Sequence, residues 1–397
     1  MKVLCVFGKN QYGDSRRGIG TEYAAFIPAL RNLGCEVIHF ESWEKDQFED
    51  FKALNNSLIN TVLKERPDLL LAVQINYELW LETLNIIKDT FDVSTVCWTT
   101  DDSWKYEQFS RFMGKSFDVI TTTYSSVLSK YRNDGIKNVL LTQWAANSKM
   151  LKSPLPVKKC RYPISFIGSA HGNRKRKIKE LQSLGFEISC FGHGWPVGSI
   201  AAQQIPGIMR ESVISLNFSN SYGENQIKAR TFEVPGSGGF LLTENAPGLE
   251  RFYKIGTEIE VFKGTDDLAQ KLKYFLEHPN ERDRIARAGY IRTKREHIYE
   301  IRLKKIFEFA KARPKKYKNN KLQLMNTSFQ EACNRHEVGF WLKTLRGFMI
   351  LPCILIWGKI RGPRAARRIL FEISWRLMGS KTYTASGLPG RLFYQES

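Results

Sequence analysis

The sequence lacks the patterns that mark the common metal, hydrolase and redox chemistries. It holds no D-x-D triplet and no H-E-x-x-H, so the usual footholds for a divalent ion are missing. No G-x-S-x-G elbow occurs, and no G-x-G-x-x-G follows the first apolar run. Metal-dependent sugar transfer, proteolysis, esterase chemistry and hydride transfer therefore lack their signatures. Cysteine is sparse: seven residues, an odd number, with no C-x-x-C pair. That pattern argues against a disulfide framework or a zinc site and for a reducing compartment. Repeats and low-complexity tracts are absent as well. No apolar run reaches the ~20 residues of a membrane-spanning helix. In the C-terminal region the uncharged stretch is GFMILPCILIWG, twelve residues with Pro352 inside it. The start, MKVLCVF, is too short an apolar run for a signal peptide and reads as a first strand.

Acidic residues are also few relative to basic ones, 40 against 60, giving a net charge of +20 over 397 residues. The excess is concentrated. From Arg313 onward there are 16 Lys and Arg against 4 Glu. A tail so charged points to an anionic partner.

The apolar residues present fall into an alternating plan. KVLCVF, CEVIHF, DLLLAVQI, VSTVCW and FDVITTT are continuous apolar or β-branched runs, each followed by a helical segment. Strands apolar on both faces, alternating with helices, predict a parallel sheet covered on both sides. Three prolines and four cations in KSPLPVKKCRYP interrupt the alternation. It restarts with ISFIG, EISCFG, VISLNF, FLLTE and EIEVF. The expected fold class is α/β, two Rossmann-like doubly wound domains. The divisions are 1–150, a linker over 151–163, a second domain over 164–312, and a basic amphipathic tail over 313–397. Folds of this kind bind ligands at the carboxyl ends of the strands.

Four strand ends carry candidate chemistry. In FIGSAHGNRKRK, Gly168 and Ser169 allow close approach of a phosphate, and a helix begins near Asn173 with Arg174 in its first turn. In CFGHGW, Gly192 and His193 sit where a base, ribose or sugar would lie. In ENQIKARTFEVPGSGGFLLTE, Lys228, Arg230 and Glu233 precede Gly236, Gly238 and Gly239. The cations suit phosphate oxygens, and a carboxylate accepts the two hydrogen bonds of a ribose diol. Each of these features also has an ordinary explanation as a turn or a salt-bridged helix. In VCWTTDDSW, Asp101 and Asp102 serve either as a general base or sugar ligand, or as the cap of the next helix.

These loops together resemble the C-terminal half of bacterial group-1-type glycosyltransferases of the spore-maturation, CgeB-like branch. The W-x-x-D-D after a first-domain strand resembles the N-terminal half, so the likeness covers residues 1–305. It implies a GT-B architecture and a nucleotide-sugar donor held mainly by the second domain, with no metal or other cofactor. Glu233 corresponds to the second glutamate of the group's Glu-x7-Glu motif, the ribose contact. The first falls at Asn225, with Glu224 one residue out of register.

The reading is a hexosyltransferase-type enzyme for a saccharide acceptor, lipid-linked or destined for cell-surface polysaccharide. The alternatives are a non-catalytic nucleotide- or saccharide-binding module and, below it, a nucleic-acid-binding protein. The tail aromatics lie among Ile and Leu rather than interleaved with cations, which favours lipid over nucleic acid. Residues 338–378 are expected on an anionic membrane surface, at the cytoplasmic face, or else packed on the catalytic domains.

Overall fold

The computed structural model of the chain describes residues 1–219, 224–313 and 322–397, with side chains from 327 onward in the last segment. Residues 314–321 of the basic tail lie outside these residues. The chain forms two units, Met1–Thr142 with Ile306–Ser397, and Gln143–Lys305.

The first unit is built on six parallel strands, β1 Lys2–Val6, β2 Glu36–Phe40, β3 Leu69–Ala72, β4 Ser94–Trp98, β5 Val119–Thr122 and β6 Val139–Leu141, in the order β2-β1-β3-β4-β5-β6. The register pairs Val3 with Val37 on one side and with Leu69 on the other. β3, β4 and β5 are buried on both faces, as their continuous apolar runs require. Strand order reverses between β1 and β3, so the loops after those strands open a crevice.

The second unit has five parallel strands, β7 Tyr162–Ile167, β8 Ile188–Phe191, β9 Ser212–Asn217, β10 Leu241–Glu244 and β11 Glu260–Phe262. Their order is β11-β10-β9-β7-β8, which puts the reversal between β7 and β9. The stretch read as a linker is part of this unit. Lys152 N–H donates to the Gly236 carbonyl at 3.1 Å, and the Leu155 carbonyl accepts from the buried Arg282 guanidinium at 3.0 Å.

The tail is not an appendage. Phe329, Ala332, Cys333, Phe371, Tyr383, Ala385 and Tyr394 are buried in the core of the first unit. Tyr394 meets Phe51 edge-on at 4.8 Å, Phe371 lies 5.7 Å from Tyr77, and Tyr383 packs between Phe109 and Phe112. The helix Phe340–Met378 breaks at Gly358, whose φ of 77° is left-handed and suits glycine. The chain doubles back there: a Cβ on Gly362 would lie 2.7 Å from the Ile354 backbone. Phe340–Tyr383 is long and apolar enough to cross a membrane by length and composition. The turn divides it into two arms, 340–357 and 359–378.

Burying Phe329, Phe371, Tyr383 and Tyr394 is worth about 1.5–3 kcal/mol each, or about 6–12 kcal/mol together. That is the size of a whole domain's stability, about 5–15 kcal/mol. A chain ended at residue 313 is therefore expected to lose the cooperative melt of its first unit and to aggregate. Circular dichroism and sedimentation check this. A soluble truncated chain with an unchanged melt would show the tail to be dispensable for folding.

Candidate active site

In the second unit the functional side chains gather at the ends of β7, β8 and β9. The loops after β7 and β8 are clamped together. Ala170 N–H donates to the His193 carbonyl at 2.8 Å, and Trp195 Nε1–H donates to the Gly168 carbonyl at 2.8 Å. Gly192 has φ 129°, and a Cβ there would come within 2.6 Å of the Gly168 oxygen. Gly192 thus permits contact between the two loops. Ser169, His193 and Asn173 are exposed around them, Asn173 just before the helix Arg174–Ser183.

Arg174 is buried and pinned. It donates to the Ser169 carbonyl at 3.1 Å and to the Phe218 carbonyl at 3.3 Å, tying the ends of β7 and β9. Desolvation lowers its pKa, and the neighbouring Arg230 lowers it further against the opposing charge of Glu244. Arg230 Nε–H donates to the Ile167 carbonyl at 3.2 Å, and its Nη1 forms an ion pair with Glu233. Lys228 Nζ lies 3.2 Å from Gln226 Oε1. The ring of His171 is held below the usual imidazole range, first by desolvation and then by Arg174 and Lys228. His171, Arg174, Lys228, Arg230 and Glu233 are therefore one constellation at the reversal point of the sheet. His171 had not been singled out, although it stands between Gly168 and Arg174 in the same loop. Glu244, also missed, closes β10 by accepting from Lys177 at 2.6 Å and from Ser219 N–H at 3.1 Å.

Three sequence expectations are corrected here. Gly236, Gly238 and Gly239 do not face a ligand. They are buried, and added Cβ atoms would strike the Ala146 side chain at 2.7 Å, the Lys152 carbonyl at 2.5 Å and the Met209 carbonyl at 2.6 Å. Their small size serves close packing of the chain on itself. Asn225, where the family's first glutamate would stand, donates to the Asn245 carbonyl at 2.8 Å and so anchors the loop.

In the first unit, Asp101 and Asp102 part company. Asp102 is 1% exposed and accepts from Thr99 at 3.0 Å, from Tyr131 at 2.8 Å and from Ser110. Burial pushes its pKa up, and the hydroxyl bonds pull it back. It is a core carboxylate, and the expectation of a catalytic role for it is withdrawn. Asp101 lines a cavity of about 640 Å³ with Tyr12, Asp14 and Arg17 from the loop after β1 and Asn76 from the loop after β3. These are the two loops that the strand reversal opens. Glu22 stands near it, raised by burial and further by the charge of Asp101.

Residues 174–308 match the glycosyl transferase-like family model. The chain is 23% identical over 229 residues to the spore protein CgeB of Bacillus subtilis, covering 51% of this chain and 70% of that one. Over residues 174–308 the chain thus resembles glycosyl transferase-like proteins. Its fold is GT-B, as three solved structures show. HepE from Anabaena, in complex with UDP, aligns with a TM-score of 0.52 at 13% identity over 78% of this chain and 100% of that one. Sucrose-phosphate synthase from Thermosynechococcus elongatus aligns at 0.53 and 11%, over 78% and 99%. The lipopolysaccharide outer core galactosyltransferase WaaB aligns at 0.53 and 12%, again over 78% and 99%.

The two adjacent aspartates give a direct test. Asp102→Ala takes the carboxylate from the buried hydroxyls of Tyr131 and Ser110, Thr99 keeping the Thr121 carbonyl, at about 1–3 kcal/mol each, and should cost about 3 kcal/mol. That corresponds to a melting temperature lower by roughly 6–12 °C. Asp101→Ala should stay within about 0.5 kcal/mol of the parent. Thermal melts of both check it. Equal losses would contradict the separation.

Proposed function

We propose that the protein transfers a sugar from a nucleotide-sugar donor to a saccharide acceptor without a metal ion. The observation that carries the reading is the cationic constellation at the reversal between β7 and β9. Lys228 and Arg230 neutralise the departing diphosphate, and Arg174 adds its charge from behind while fixing the loop. Such preorganised charge is the usual source of transition-state stabilisation where no metal serves. Glu233, held by Arg230, accepts from the ribose hydroxyls. Asp101 takes the proton of the acceptor hydroxyl as it attacks the anomeric carbon, and the bond from that carbon to the nucleotide oxygen breaks. The UDP complex of HepE makes UDP the first nucleotide to try.

UDP should stabilise the protein by about 2.7 kcal/mol at 100 times its Kd. Glu233→Ala should weaken UDP about tenfold, the equivalent of ~1.4 kcal/mol. Asp101→Asn should keep UDP affinity and lose transfer by about 10²-fold or more. Transfer should survive EDTA. Activity abolished by chelator and restored by manganese would overturn the metal-free reading, and unchanged UDP affinity in the Glu233 variant would remove the ribose assignment.

We also propose peripheral attachment to an anionic membrane, at the cytoplasmic face, through the arm 340–357 and the turn after it. Trp341 is 82% exposed, Leu355 87% and Ile360 85%, and Phe348, Leu351 and Ile356 are exposed beside them. Lys343, Lys359 and Arg361 flank the patch and are exposed too. A patch of large apolar side chains rimmed by cations suits a lipid interface. Acceptors carried on membrane lipids fit this placement. Full-length protein should float with anionic vesicles at low salt, weaken only in part at high salt, and fail after Leu351→Ser, Leu355→Ser and Ile360→Ser together. Protein that stays free of vesicles at low salt would overturn the proposal. A dimer that those substitutions dissociate, with no vesicle binding, would overturn it in favour of a self-interface.

A further inference from the structure

Three arginines of the second arm of the hairpin line the cavity beside Asp101. Along 359–378, Gly362, Ala366, Leu370 and Ser374 are buried at four-residue spacing, and Ile369, Ile373 and Leu377 are exposed on another face. Arg364, Arg367 and Arg368 lie between those stripes and line the same cavity as Asp101, together with Arg17 and Lys105.

The charges of this cavity are unequally committed. Of its carboxylates, Asp14 is held by Arg16 at 2.9 Å, Glu396 by Arg346 at 2.6 Å, and Glu372 by Arg376. Arg16, Arg346 and Arg376 lie outside the lining, while Arg17, which is part of it, also reaches Asp14 at 3.5 Å. Among the described residues, none of Arg364, Arg367 and Arg368 has a carboxylate in ion-pair range. The Nε of Arg367 is buried without a hydrogen-bond partner. Three guanidinium groups left without counterions around a cavity that also holds a carboxylate are set for an anion with several oxygens, which they can grip by bidentate forks.

We infer that the acceptor carries a phosphate or diphosphate group, bound by Arg364, Arg367 and Arg368, and that this grip sets its hydroxyl against Asp101. The inference rests on the transfer reaction proposed above. It adds the chemical class of the acceptor, and it makes the C-terminal hairpin the acceptor-recognition element. A phosphate borne by a lipid and a phosphate on a soluble sugar share this chemistry.

The test is calorimetric, on full-length protein with UDP saturating so that the second unit's cations are occupied. Inorganic pyrophosphate, glucose 1-phosphate and farnesyl diphosphate are the probes, with glucose as the uncharged control. Pyrophosphate and at least one phosphorylated probe should bind, and glucose should not. Tighter binding of farnesyl diphosphate than of pyrophosphate identifies a lipid carrier, and tighter binding of glucose 1-phosphate identifies a soluble acceptor. Arg364→Gln with Arg368→Gln, both at exposed positions, should weaken these anions at least tenfold while UDP affinity stays constant. Arg367→Gln alone is the second variant, and Lys137→Gln, exposed and outside the cavity lining, is the control that should change nothing. No anion binding to the parent, or equal binding by parent and arginine variants, overturns the inference. Absent UDP binding would instead count against the donor reading.

Discussion

The first unit depends on the return of the chain to its own beginning. Residues after 306 pack against residues before 142, and the contacts are aromatic: Tyr383 on Phe109 and Phe112, Tyr394 on Phe51, Phe371 on Tyr77. Hydrogen bonds secure the same docking, from Tyr383 to the Gln108 carbonyl and between Tyr77 and Ser397 at 2.8 Å. Once those rings are seated, the rotation of the arm 359–378 is fixed. Its buried stripe of small residues faces the hairpin partner, and Phe371 and the arginines face the strand ends. The cavity beside Asp101 thus has one wall made of residues more than 200 positions away in sequence. The return of the chain shapes this cavity as well as stabilising the unit that holds it.

A parallel sheet explains why neighbouring residues take opposite parts. The side chains at the carboxyl end of β4 alternate between core and crevice until the helix begins. Asp102 starts that helix and turns inward to three hydroxyls. Asp101, one residue earlier, stays at the mouth. The same logic acts in the second unit. Arg174 turns under the loop to hold two strand ends, while Ser169 and Asn173 remain outside. In both units the inward polar residue organises the backbone on which the outward one stands, so substitutions at Asp102 or Arg174 would disturb chemistry without touching a ligand.

Much of this was legible in the residue pattern. Runs apolar on both faces, such as LLLA and VITT, specify buried parallel strands, and they are β3 and β5. β6 escaped notice because Val139–Leu141 is three residues long and half exposed. The cations gathered at the reversal between β7 and β9 were visible because charge at a strand end has few structural uses. The glycines misled. A backbone that must approach a phosphate and a backbone that must approach its own chain demand the same missing Cβ, and only coordinates distinguish Gly238 against the Lys152 carbonyl from a phosphate cradle. The tail misled for another reason. Its amphipathic period was correctly apparent, but the partner of its buried face begins near Phe51, and no local pattern encodes so distant a contact.

The tail's charge also proves smaller in effect than its composition suggests. Arg346 and Arg376 answer Glu396 and Glu372, Arg335 lies 3.7 Å from Glu82, and Arg391 donates to the His336 carbonyl at 3.1 Å. Arg364, Arg367 and Arg368 line the cavity. Among the described residues there remain around the exposed apolar arm Lys343, Lys359 and Arg361, together worth about 3 kcal/mol at an anionic surface. Six exposed large apolar side chains there would contribute about 1.5–3 kcal/mol each on burial, several times as much. In the proposed attachment, burial of apolar surface thus supplies the affinity and the three cations bias it toward anionic lipid. The hairpin divides the work: its first arm exposes the apolar patch, and three arginines of the second line the cavity. A lipid-borne phosphate is the one acceptor chemistry that would use both.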